Sequence, residues 1–266
     1  MPIANVNGID LYFEQHGSGP DLVLLSGLTA THEVWRFLIP LLEKHCRITV
    51  LDNRGVGQSS YADIEYSIEL MALDVVSLMQ HLAIEKAHVV GHSLGGLILQ
   101  VLASQHPNCI IKGLFLCCNL IKSSAYGFHL STVQGLEKDG VDEKKRLKSQ
   151  VGFLFGADFL HDEAKLNEFI SSSLSQVYPQ KQEGLQGQLH ALKKFDRLAA
   201  LPSITAPVQA LFADEDLIAL SKNANILHQY NPRIDIDWIE SCGHIPQLEC
   251  PQLLARKIKQ GFGIEN

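Results

Sequence analysis

The sequence predicts an α/β fold in which a mostly parallel sheet is flanked by helices and carries a helical insert. Short apolar runs alternate with amphipathic stretches in the first part of the chain, a pattern typical of strands and helices that build a parallel sheet. The alternation stops between residues 121 and 194, where helical stretches rich in Lys, Glu, Ser and Gln appear. We therefore expect a core of residues 1–120 and 195–266, and a helical cap of residues 121–194 inserted after the sixth strand.

The composition agrees with one folded domain and argues against nucleic acid or a membrane as partner. Of the 266 residues, 46% are apolar and 19% are charged, enough to bury a large core. The net charge of -7 gives no global attraction to nucleic acid or to an anionic membrane surface. The start of the chain lacks the features of a signal peptide, and no apolar run approaches the length of about 18 residues that spans a bilayer. We expect a cytoplasmic protein with reduced cysteines and no need of a metal or organic cofactor.

The elements of the first part are predicted from local signals. Asn7-Gly8 is typical of a two-residue hairpin turn, so the chain opens with an antiparallel hairpin of residues 3–6 and 9–14. Apolar runs predict four further strands at residues 22–25, 47–51, 87–90 and 111–117. Apolar residues at helical spacing predict helices at residues 67–81, with Ser67 as N-cap, and 94–105, closed by Pro107.

The alternation of strand and helix resumes after the insert. Strands are predicted at residues 208–212 and 234–239, with a helix at residues 221–230 between them. A last helix begins at Pro251, because proline suits the first turn of a helix.

The motif that carries the most chemistry is Gly91-His92-Ser93-Leu94-Gly95. This G-x-S-x-G pattern is short, but it lies directly after a predicted strand and directly before a predicted helix. A nucleophile elbow needs that position, because the strained turn exposes the serine hydroxyl and the glycines leave room for the backbone. The sequence therefore predicts Ser93 as a nucleophile.

A serine hydroxyl needs a base to remove its proton and a group to orient that base. His244 follows the last strand in Ser241-Cys242-Gly243-His244, where a loop could bring its imidazole over the strand ends. The acid is sought in Asp214-Glu215-Asp216, directly after the strand at residues 208–212, since the chain order Ser, Asp, His suits an elbow serine. The backbone amides of Leu28 and Leu94 are the candidate oxyanion donors.

Several motifs together resemble the α/β-hydrolase superfamily. They are Ser26-Gly27, Asp52-x-Arg54-Gly55-x-Gly57-x-Ser59, Gly91-x-Ser93-x-Gly95-Gly96, Asp216, and Gly243-His244 followed by Glu249-x-Pro251. The resemblance is strongest to the 3-oxoadipate enol-lactonase and carboxylesterase group. It implies that Asp216 is the triad acid, although Ala213 stands where the family has a glycine, and Asp214 therefore stays a rival. Ser26 likewise stands where the family usually has histidine.

The resemblance implies an esterase or lactonase that works through an acyl-serine with the triad Ser93, Asp216 and His244. We expect an apolar pocket lined by Trp35, Phe153 and Phe155. Carbon-carbon bond hydrolysis uses the same triad, and a ligand-sensing receptor of this fold would keep it. A further alternative is an esterase acting on esters of an acyl-carrier protein, for which the insert offers a basic cluster, Lys144, Lys145, Arg146 and Lys148.

Overall fold

The computed structural model describes residues 2–61, 65–118, 124–196 and 198–264, without the side chains of residues 124–126 and 129. The strands in these ranges are β1 Ile3–Val6, β2 Ile9–His16, β3 Asp21–Leu25, β4 Arg47–Leu51, β5 Ala87–His92, β6 Ile110–Leu116, β7 Val208–Ala213 and β8 Asp235–Ile239. Within the described part of the chain they form an eight-stranded sheet in the order β1-β2-β4-β3-β5-β6-β7-β8. In this sheet the pairs β1–β2 and β2–β4 are antiparallel and the other five pairs are parallel, which confirms the predicted α/β fold.

Helices flank the sheet and fill the long connection between β6 and β7. They are α1 Ile39–Leu42, α2 Ile68–His81, α3 Leu94–Gln105, α4 Ser124–Lys138, α5 Glu143–Leu154, α6 Ala157–His161, α7 Glu163–Leu174, α8 Gln182–Lys194, α9 Lys222–Tyr230, α10 Pro246–Glu249 and α11 Pro251–Phe262. None of the helices in the described ranges is long and apolar enough to cross a membrane.

The hairpin between β1 and β2 forms as its dipeptide predicts. Asn7 and Gly8 have φ values of 46° and 77°, the left-handed region that the turn requires. β2 then pairs with β4, with Phe13 opposite Leu51, and this antiparallel contact joins the hairpin to the parallel part of the sheet.

The core lies on both faces of the sheet because successive strand residues point to opposite sides. In β3, Val23 and Leu25 pack in the cluster that contains α2 and α3, whereas Leu22 and Leu24 pack in the cluster that contains α11. A strand covered on both faces reads as a continuous apolar run, and this explains why the sequence marks these strands clearly.

Helices α4–α8 are the elements between β6 and β7, at the position predicted for the cap. The predicted start of the cap, residue 121, falls outside the described residues, which resume at residue 124. The connection therefore leaves the sheet near Cys118 and returns to it through a short turn, Leu201–Ser203, before β7.

Candidate active site

Ser93 lies in a strained turn between β5 and α3. Its φ of 52° is unusual for a residue with a side chain, and its N–H donates to the carbonyl of Leu116, at 3.0 Å. The turn is possible because a Cβ atom at Gly91 would lie 2.4 Å from the carbonyl oxygen of Gly95, and one at Gly95 would lie 2.2 Å from that of Leu25. Both positions must therefore be glycine, because a side chain at either one would collide with the neighbouring backbone.

The structure brings the predicted histidine and aspartate to this serine. His244 follows β8 in a loop, and its Nε2 lies 3.0 Å from the Ser93 Oγ. Its Nδ1 lies 2.8 Å from the Asp216 Oδ2. Since a carboxylate only accepts hydrogen bonds, Nδ1 carries a proton and Nε2 faces the serine hydroxyl as an acceptor.

Asp216 and Asp214 both follow β7, but they differ in burial and in hydrogen-bond partners. Asp216 is 3% exposed, and its other oxygen accepts from the N–H groups of Ile218 and Ala219, at 2.7 and 2.8 Å. Burial raises the pKa of Asp216, but His244 and these N–H donors outweigh burial, so the pKa lies below its ordinary value. Asp214 is exposed, and the one hydrogen bond that its carboxylate accepts within the described residues is long, from the Cys242 N–H at 3.4 Å. The geometry therefore places Asp216, and not Asp214, against the imidazole.

His92 adjoins the serine in sequence, but its ring nitrogens bond to His244 and Gln247. Its Nε2 donates to the carbonyl of His244, at 2.7 Å, and its Nδ1 faces the Gln247 side-chain amide, at 3.3 Å. Complete burial lowers the pKa of His92 to about 3, so the ring stays neutral. His92 thus supports the backbone of the His244 loop.

The two candidate oxyanion amides belong to residues close to the serine. Leu94 begins α3 directly after Ser93, and Leu28 follows Gly27, where a Cβ atom would lie 3.3 Å from the Ser93 Cβ. Among the described residues, neither the Leu28 nor the Leu94 N–H has a hydrogen-bond acceptor. Free N–H groups beside the nucleophile suit the stabilisation of a developing oxyanion.

The predicted pocket residues lie in different environments. Trp35 has no exposed surface, its indole Nε1 donates to the Ser26 Oγ at 3.0 Å, and its ring meets His92 edge to face. Trp35 therefore does not line an accessible pocket, contrary to the prediction, because its ring is buried in the core on the α11 side of the sheet.

Phe155 also departs from the predicted pocket role, while Phe153 is half-buried. Phe155 is 3% exposed, stacks on Phe159 at 4.0 Å and lies edge to face with Phe169. A Cβ atom at Gly243 would lie 2.8 Å from the Phe155 Cα, so this segment of the insert packs directly on the loop that carries His244. Phe155 is therefore a buried contact between the insert and the His244 loop.

Glu249 is a site residue whose role the sequence analysis missed. Its carboxylate accepts from the N–H groups of Gly156, Gly243 and Ile245, at 2.8, 3.0 and 3.2 Å. Two of these donors flank His244, and the third belongs to the insert. The signal was present in Glu249-x-Pro251, but the pattern does not show which amides the carboxylate would meet.

One cluster in the described chain has the residue types of a metal site. Ligand atoms of Cys117, Asp216 and His244 lie within 4.8 Å of one another. Asp216 and His244 already use their facing atoms for a hydrogen bond, and burial together with Asp216 raises the pKa of Cys117 well above its ordinary value. A buried thiol that resists ionisation is a poor metal ligand, so the cluster fits hydrogen bonding better than metal binding.

Serine, histidine and aspartate joined at the carboxyl ends of parallel strands define an elbow-type hydrolase arrangement. Residues 20–251 match the alpha/beta hydrolase fold family. The chain therefore belongs to the α/β-hydrolase fold family.

Individual relatives agree with this assignment. A Yersinia enterocolitica protein, provisionally named carbamate hydrolase RutD, is 30% identical over 240 residues, which covers 86% of this chain and 83% of that protein. The enol-lactonase from Burkholderia xenovorans LB400 superposes with a TM-score of 0.85 and 23% identity, covering 99% of this chain and 100% of its own. A thermophilic esterase from Thermogutta terrifontis has a TM-score of 0.82 and 21% identity, with 97% and 95% of the two chains covered.

Proposed function

We propose that the protein is a serine hydrolase that cleaves a small carboxylic ester or lactone through an acyl-serine intermediate. The observation that carries the proposal is the continuous hydrogen-bond chain from Ser93 through His244 to the buried Asp216. With the His244 proton on Nδ1, facing Asp216, Nε2 accepts from the Ser93 hydroxyl, and nucleophilic attack requires this arrangement.

The reaction follows from the positions of these groups. The Ser93 Oγ attacks the substrate carbonyl while His244 Nε2 takes its proton, and Asp216 stabilises the imidazolium that forms. The free N–H groups of Leu28 and Leu94 donate to the carbonyl oxygen as it becomes negative. His244 then gives its proton to the leaving alkoxide, and a water molecule activated by the same imidazole releases the acid and restores Ser93.

Carbamate hydrolysis is a second candidate, favoured by the name of the relative that is 30% identical to this chain. A carbamate offers a carbonyl to the same nucleophile. The difference lies in the nitrogen beside that carbonyl, which donates electrons and makes the carbonyl less reactive toward attack. The triad is compatible with both substrates, and the choice between them belongs to the groups that surround the carbonyl.

We also propose that residues 121–194 form a cap over the carboxyl ends of the strands, where substrates of open α/β sheets bind. Docking of an acyl-carrier protein on the basic cluster around Lys144 and a cytoplasmic location remain predictions. Carbon-carbon bond hydrolysis and ligand sensing remain alternatives to ester cleavage.

The test combines active-site labelling with a pair of matched substrates. A fluorophosphonate probe should label the wild-type protein and Ser104→Ala, a control serine at the other end of α3, but not Ser93→Ala. A 4-nitrophenyl ester and a 4-nitrophenyl carbamate both release 4-nitrophenol, so the ratio of their kcat/KM values compares the two acyl parts directly. Multiple turnovers of the ester support the proposal, whereas release of about one equivalent indicates a sensor.

Equal labelling of Ser93→Ala and wild type would overturn the nucleophile assignment. A larger kcat/KM for the carbamate than for the ester would transfer the proposal to the second candidate. Cleavage of a carbon-carbon bond in a diketone substrate, with no cleavage of either nitrophenyl compound, would favour that alternative.

A further inference from the structure

Gln188 is a fully buried polar residue in α8, within the helices between β6 and β7. Its Oε1 accepts from the N–H of Thr29, at 3.2 Å, and from the Gln180 side chain, at 3.1 Å. Its Nε2 donates to the carbonyl of Arg54, at 3.0 Å. The side-chain amide therefore joins an inserted helix to two loops at the strand ends, after β3 and after β4.

Thr29 is the residue directly after Leu28, whose N–H is a candidate oxyanion donor. Thr29 has a φ of 64°, in the left-handed region that residues with a Cβ atom rarely adopt. Such a conformation persists when surrounding contacts hold it in place. The hydrogen bond from the Thr29 N–H to Gln188 is a contact of this kind, and it acts one peptide away from the Leu28 amide.

The position of Gln188 is itself fixed by close packing of α8 on the core. A Cβ atom at Gly184 would lie 2.0 Å from the carbonyl oxygen of Gly55, and one at Gly187 would lie 2.6 Å from the Tyr66 ring. The helix can approach so closely only because both positions are glycine. The Gln180 side chain adds a bond to the Gly55 carbonyl, at 2.9 Å. The close packing of α8 thus fixes the position of the Gln188 Oε1, which accepts from the Thr29 N–H.

We propose that Gln188 is a positioning residue for the oxyanion site: it holds the turn at Thr29 so that the Leu28 N–H faces the oxygen developing above Ser93. The inference rests on the proposed function for its catalytic consequence, but the ordering of the turn does not depend on it. It also implies that the inserted helices contribute to the reaction itself as well as to the shape of the pocket. A substrate that contacts the insert would then change kcat, because α8 carries the Gln188 side chain that holds the Thr29 turn.

The test replaces Gln188 by methionine, which has similar length and no strong acceptor, and applies the same change to Gln180 as a control. Gln180 touches Gln188 and Gly55 but not Thr29. Amide hydrogen exchange of the peptide covering residues 26–32 reports the turn directly. Steady-state kinetics on a very short ester report its catalytic consequence without pocket contacts.

We expect Gln188→Met to speed exchange in residues 26–32 and to lower kcat by about 10- to 100-fold with little change in KM, as for a displaced transition-state donor. Gln180→Met should change both quantities much less. Gln188→Glu keeps an acceptor for Thr29 and loses the donor to Arg54, so its kcat and its exchange should lie between those of wild type and Gln188→Met.

Unchanged exchange in residues 26–32 of Gln188→Met would overturn the inference, as would an equal loss of kcat in the Gln180 control. If Gln188→Met does not fold, Gln188→Glu decides: exchange in residues 26–32 that is faster than in wild type, together with a lower kcat, supports the inference, and wild-type values of both overturn it. If wild-type turnover does not depend on Ser93, the proposed function fails, and hydrogen exchange alone decides whether Gln188 orders the turn.

Discussion

Replacing Glu249 by alanine should lower the free energy of unfolding more than the same replacement of any other exposed or half-buried Asp or Glu near the active site. The change removes the acceptor of three main-chain N–H groups, those of Gly156, Gly243 and Ile245. A buried donor left without an acceptor costs about 1–3 kcal/mol. Because Glu249 is only partly buried, water can replace part of the carboxylate, and the lower end of the range applies to each donor.

The expected loss in the free energy of unfolding is therefore about 3 kcal/mol, which corresponds to a decrease in Tm of about 6–12 °C for a chain of this size. Urea unfolding followed by tryptophan fluorescence measures it, since Trp35 is fully buried and Trp238 is 36% exposed. Glu215→Ala is the matched control, because Glu215 accepts a single main-chain bond, from the Ala157 N–H. A loss below about 1 kcal/mol for Glu249→Ala, or an equal loss in the control, would refute the reasoning.

Three further predictions concern the acid and the insert. Asp216→Asn should lower turnover by about 10⁴-fold while Asp214→Asn has little effect, and the reverse order in kcat measurements would assign the role to Asp214. Because the pKa of Asp216 is lowered in the fold, its ionised form stabilises the protein above the ordinary Asp pKa of about 3.9, and this stability is lost as pH falls through the folded-state pKa. Urea unfolding of wild type and Asp216→Asn should therefore show a stability difference that shrinks on acidification; a constant difference would contradict this. Phe155→Ala should cost about 3–5 kcal/mol of stability and reduce activity on short and long esters alike, whereas Phe153→Ala should shift chain-length preference, which a series of ester substrates would show.

The sequence predicted the sheet and the elbow because their signals are local. Strands covered on both faces leave continuous apolar runs, and the turn at Ser93 requires glycines two residues before and after it. The position of His244 followed from the last strand ending just before it.

The contacts between the insert and the core could not be predicted in the same way. Gln188 and Thr29 are 159 residues apart, and nothing near either residue identifies the other as its partner. The pocket role predicted for Trp35 and Phe155 was wrong for a related reason, since an apolar side chain suits a core contact and a pocket wall equally well. Burial separates these roles, and burial depends on the complete fold.

One hydrogen bond of the insert restricts how the protein could be recombined with its relatives. The main-chain N–H of His244 donates to the main-chain carbonyl of Leu154, at the end of α5, at 2.9 Å. Two residues later, a Cβ atom at Gly156 would lie 2.6 Å from the Glu215 carboxylate. A chimera that exchanges residues 121–194 between two hydrolases could change almost any side chain at position 154, since only the carbonyl is used. It would have to keep the spacing between the two positions, and a residue larger than glycine at position 156 would displace the Glu215 side chain and crowd the main-chain nitrogen of Gly243, 3.0 Å from the added Cβ. The length of this segment therefore matters more for grafting than its sequence identity.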